Sequence, residues 1–181
     1  FYNEAKLARL GLPPPKTWEE FDVALAAAKA VGEIPIQFGN RDKASGNYLF
    51  SMAMHRFGNP AEESRLALGV RGTTWMTDAN RNAARQVVAW VDRGYLAPDF
   101  AGRSGDEAWD DFVGGDGVFL IGGTWLTATS ARAGDPIGFL LPPARNGRVV
   151  VTGGTGLPFA INARTTHPDA AAAYIDYITS M

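Results

Sequence analysis

Few side chains in this sequence could do covalent or metal chemistry. There is no cysteine, and the two histidines, His55 and His167, stand far apart. Disulfides, thiolate ligands, a cysteine nucleophile and a paired-histidine metal motif at helical spacing are therefore excluded. No GxSxG, P-loop or GxGxxG pattern occurs, and no cofactor is implied. The carboxylates are unmatched for acid–base work. Asp110 and Asp111 are consecutive, so on a helix they diverge by about 100° and read as a solvated face. Asp99, Asp106 and Asp116 fall in loop or cap contexts with no imidazole to share a proton. His55 ends an apolar stretch and reads as structural, and His167 reads as the cap before Pro168. Two carboxylates across a cleft would instead mean glycoside hydrolysis, the catalytic alternative to plain binding.

What remains is chemistry of recognition. Gly122-Gly123-Thr124-Trp125 follows the apolar run Val118 to Ile121 and sets a large indole on a tight loop at a strand end. Such an indole either stacks on the C–H face of a sugar or plugs the core. Gly153-Gly154-Thr155-Gly156 can bring bare backbone N–H groups to a ligand, or form a tight strand-to-strand turn. No Gly-Lys-Ser/Thr follows it, so it is not a phosphate loop. Asn40, Arg41 and Asp42 make a polar loop able to bond hydroxyls or simply to face solvent. Tyr48 is a rim contact or a core edge. Trp75 is cleft wall or packing.

These groups need elements to hold them. Thr17 and Glu20 form a capping box ahead of Trp18, Phe21, Leu25 and Ala28 at helical spacing, with Gly32 as the stop. A short strand follows from Ile34 to Phe38, its Pro35 arguing for an edge. A buried helix over 47–57 carries Met52, Met54 and Phe57, and Gly58-Asn59-Pro60 closes it. Asp78 caps a helix whose stripe is Ala84, Val87, Val88 and Val91. Ser104 and Glu107 make a second capping box ahead of Trp109, Phe112 and Val113. Strands are expected at Val118 to Ile121, Ile137 to Leu141 and Leu157 to Ile161, with a polar hairpin at Arg145-Asn146-Gly147-Arg148. A last helix starts at Pro168 and buries Ala171, Tyr174, Ile175 and Ile178. Helices alternating with short strands imply a mixed α/β or α+β layered domain, helix-rich with a small central sheet.

The chain has 181 residues, is 46% hydrophobic and carries a formal charge of -2. That length suits a single domain, 1–181. The charge leaves no excess for nucleic acid, and no apolar run approaches the roughly 20 residues of a membrane helix. The chain opens at Phe1 with no initiator Met, basic region or apolar leader, and so reads as a piece of a longer one.

Several blocks, in order, carry a resemblance. FYNEAKLARLGLPPPKTWEEF, DRGYLAPDF, DDFVGGDGVFLIGGTW, GFLLPP, TGGTGLPFAIN and THPDAAAAYIDYITS resemble the extracellular solute-binding proteins of sugar-type ABC importers, the maltose-binding-protein-like group. Asp116-Gly117-Val118 departs from the family's small-residue-then-Met pattern. The resemblance implies a type II periplasmic-binding-protein-like fold, with this chain as most of the second, C-terminal lobe. It also implies a non-catalytic role: closing on a sugar or oligosaccharide against a missing N-terminal lobe and handing it to permease subunits outside the cytoplasm, often from a lipid anchor. By the same resemblance Trp125 is the stacking residue, with Gly123 and Thr124 beside it. Gly153 and Gly154 are the glycine loop, Tyr48 the aromatic that begins a helix, and Asn40 and Asn47 polar contacts.

Overall fold

The computed structural model describes residues 1–130, 133–151 and 159–180. Four two-residue strands, β1 (Tyr2–Asn3), β2 (Ile36–Gln37), β3 (Phe119–Leu120) and β4 (Ile137–Gly138), form a mixed sheet in the order β2-β3-β1-β4. β2 and β3 run parallel, with Ile36 opposite Phe119, while β1 is antiparallel to both β3 and β4. Pro35 is tolerated because β2 is terminal in that order. Its outer side is covered all the same, since Ile36 donates to the Tyr95 carbonyl at 2.8 Å. The ladder extends one residue before β1: the Phe1 nitrogen donates to the Leu120 carbonyl at 2.8 Å.

The flanking helices are α1 (Glu4–Arg9), α2 (Trp18–Ala30), α3 (Ser45–Phe57), α4 (Pro60–Ala67), α5 (Asp78–Asp92), α6 (Gly105–Val113), the short α7 (Thr127–Ser130) and α8 (Pro168–Thr179), with a 3-10 turn at Thr124–Leu126. Both capping boxes form. Thr17 Oγ1 accepts from the Glu20 N–H while Glu20 accepts from that of Thr17, and Ser104 and Glu107 repeat the exchange. The bonds from Ser104 hold the Glu107 carboxyl below the usual carboxylate range. α2 buries Trp18, Phe21, Leu25 and Ala28 as its spacing requires, and Gly32 turns the chain at φ +80°. At the centre Phe21 meets Trp90 and Phe119 edge-on, at 6.3 and 5.1 Å between centroids. Asn146 and Gly147, at φ +50° and +73°, close the expected hairpin between Arg145 and Arg148 in the left-handed geometry that Asn-Gly favours.

Other expectations fail in instructive ways. α5 starts from Thr77, whose hydroxyl accepts from Asn80, and buries Asn80, Ala83 and Trp90. Ala84, Val88 and Val91 lie on its exposed side. α3 packs along α5 and selects the face holding the one large ring. The helix at the chain's end buries none of its residues, and Tyr174 is exposed rather than part of a buried stripe. Gly58 does close α3, as expected, and Asn59 and Pro60 at once open a further helix, α4, that the sequence did not announce. Residues 159–161 are not strand, and 157–158 lie outside the described residues. Asp111 is no solvated carboxylate: it accepts from Gln37 Nε2 at 3.2 Å and pairs with Arg103. His55 is buried and faces Glu63 at 2.9 Å, a structural role as its context suggested.

Candidate functional site

A cleft of about 220 Å³ opens at the carboxyl ends of the parallel pair β2 and β3, where open α/β sheets hold ligands. Its floor is Gln37, Phe38 and Gly39 leaving β2, and Leu120, Ile121 and Gly122 leaving β3. The starts of α3 and α6 supply the walls through Asp42, Ser45, Tyr48, Gly105 and Asp106, and the 3-10 turn closes one side with Trp125 and Leu126.

The floor is fixed by main chain. Residues 39–41 run against 100–104, with Asn40 donating to the Phe100 carbonyl at 2.7 Å and Arg41 to that of Arg103 at 2.9 Å. Beside those bonds the backbones press together so closely that a Cβ on Gly39 would overlap the Ser104 carbonyl oxygen and lie 2.8 Å from that of Arg103. Only glycine lets the chains cross here. Asp42 ties the walls together: Oδ1 accepts from Ala44 at 3.1 Å and Oδ2 from Gly105 at 3.2 Å. The side-chain cap that Ala44 cannot give to α3 comes from Asn40, whose Oδ1 accepts from the Gly46 N–H.

The aromatic rim answers the question left open for Trp125. Its indole is 62% exposed, so it is not a core plug. It leans back over Gly123, where a Cβ would overlap its six-membered ring, and it meets Tyr48 at 5.5 Å between centroids with the planes inclined at 53°. Tyr48, 37% exposed, sits in the first turn of α3. Sequence-distant residues thus form one aromatic corner.

The remaining candidates are placed as follows. Thr124 begins the 3-10 turn, and its carbonyl accepts from the Thr127 hydroxyl at 2.7 Å. Asn40 spends its side-chain oxygen on the Gly46 N–H at 2.8 Å, shaping the loop rather than lining the cleft. Asn47 is an exposed residue beside Tyr48, also outside the lining. Gly153 and Gly154 lie outside the described residues. Trp75, 55% exposed, is not part of the lining, and its carbonyl accepts from Asn80. Ser45, Asp106 and Gln37 join the lining without having been picked from the sequence, where nothing local distinguishes them. Both carboxylates of the cleft, Asp42 and Asp106, are solvent-exposed. Among the described residues no cluster of His, Cys, Asp or Glu could hold a metal ion, and no helix is long and apolar enough to cross a membrane.

A sequence model of the family "Bacterial extracellular solute-binding protein" matches residues 1–181. The chain is 23% identical to the Multiple sugar-binding protein of Streptococcus mutans, over 99% of this chain and 44% of that one. Among solved structures, a chitin oligosaccharide binding protein matches with a TM-score of 0.65 at 29% identity, over 71% of this chain and 32% of that one. A protein of xylan utilization from Caldanaerobius polysaccharolyticus matches with a TM-score of 0.74 at 21% identity, over 98% of this chain and 47% of that one. The chain spans less than half the length of each of these relatives.

Proposed function

Since the chain belongs to the bacterial extracellular solute-binding protein family, we propose that it is the sugar-holding lobe of a two-lobed receptor. In this reading Trp125 and Tyr48 receive the apolar face of a sugar ring, and Ser45, Asp42 and Asp106 bond its hydroxyls. The lobe is non-catalytic and works outside the cytoplasm, delivering its ligand to the permease subunits of an ABC importer. Similarity to proteins named for sugar and chitin-oligosaccharide binding supports the ligand class. The glycoside-hydrolase alternative is set aside, because the family is one of binding proteins and both cleft carboxylates are exposed.

One observation carries the proposal. A tryptophan is held open to solvent at the mouth of a cleft formed at strand carboxyl ends, against a second aromatic from another element. Exposing that much apolar ring costs free energy unless a ligand covers it. A half-cleft encloses little of a ligand, whereas tight sites bury most of one, so the second lobe is needed for high affinity. The test is a thermal-shift screen of the full-length protein against neutral sugars, repeated on Trp125→Ala. Ligand binding raises the unfolding midpoint by linkage, and the substitution is expected to abolish that rise while leaving the ligand-free midpoint close to wild type. An undiminished ligand-induced rise in Trp125→Ala would refute the role of the indole.

A further inference from the structure

The charged side chains among the described residues lining the cleft are Asp42 and Asp106; no lysine, arginine or histidine is among them. Neighbouring guanidinium groups are engaged elsewhere. Arg41 donates to the Gly102 carbonyl and pairs with Glu107 at 3.0 Å, and Arg103 is held between Asp99 and Asp111. The uncharged walls add to the same sign, because the faces of Tyr48 and Trp125 carry the negative lobes of their π quadrupoles. The starts of α3 and α6 oppose it with about half a positive charge each. Lys43, next to Asp42 in the chain, lies outside the lining, and among the groups that line the cleft two whole negative charges outweigh two halves, so the lining is net negative.

Resting on the sugar-binding reading above, we infer that the cleft sorts carbohydrates by charge. It accepts neutral sugars, holds those bearing an ammonium group more tightly, and disfavours those bearing a carboxylate or phosphate. The carboxylates are exposed, so the dielectric is close to that of water. One unit charge at about 4 Å is then worth roughly fivefold in affinity, and salt screens it within about 10 Å at 0.1 M.

The experiment is a ligand-observed NMR titration of the full-length protein with glucosamine, methyl glucoside and glucuronate, at about pH 6, where the amine is protonated. The expected order is glucosamine, then the neutral glycoside, then glucuronate, in steps of about fivefold that shrink at about 0.5 M salt. Asp42→Asn with Asp106→Asn is expected to collapse the spread. Asp106→Asn alone, at an exposed position, narrows it and serves if the loss of Asp42 disturbs folding. Glucuronate binding as well as the neutral glycoside would overturn the charge sorting and leave the sugar reading intact. Binding of none of the three would overturn the sugar reading, and the charge sorting with it.

Discussion

Gly39 and Gly123 are both pressed against neighbours, but the neighbours differ in how far they can yield. At Gly39 the obstacle is the backbone of Arg103 and Ser104, whose carbonyls are held by the Arg41 and Ala108 N–H groups. Gly39→Ala is expected to cost about 3 kcal/mol in urea denaturation, because overpacking against main chain cannot be relieved by a rotamer change. At Gly123 the obstacle is the exposed indole of Trp125, and the backbone (φ -99°, ψ 169°) suits alanine. Gly123→Ala should therefore alter stability by less than about 1 kcal/mol while weakening sugar binding, as the ring is pushed from its seat. A reversed pattern, with a stable Gly39→Ala and a collapsed Gly123→Ala, would contradict this account of the floor and the rim. The lean of the ring over Gly123 could not be read from sequence, where Gly122 and Gly123 look alike. That Trp125 occupies a loop at a strand end could, because the apolar run and the paired glycines are adjacent.

At the scale of elements, local signals were legible and phase was not. Capping boxes at Thr17 and Ser104 and the Asn146-Gly147 turn complete their bonds within four residues, so the sequence around each suffices. The buried face of α5 depends on its neighbour, and hydropathy favoured Val88 and Val91 over Asn80, which is buried with its amide on the Trp75 carbonyl. Asp111 was misplaced for the same reason, since its partners Gln37 and Arg103 belong to other segments. α8 follows an ordinary amphipathic pattern yet buries no residue. Deleting residues 168–181 is accordingly expected to move the thermal midpoint by less than about 3 °C, the shift that 1 kcal/mol produces in a domain of this size. Helical circular dichroism should fall in step. A drop of 10 °C or more would mean that α8 supports the core.

For the molecule as a whole, convergence is what sequence left hidden. Asp42, Tyr48, Asp106 and Trp125 come from three separate stretches, and only the parallel pairing of β2 with β3 brings their ends to one cleft.

The crossing of main chain at Gly39 and Ser104 also has a practical side. Because the base of the cleft is built from backbone, positions 48, 106 and 125 can be varied as interchangeable fittings on a fixed anvil. Retargeting the pocket becomes a matter of choosing three side chains, with residue 39 kept as glycine and Asp42 kept as the tie between the walls.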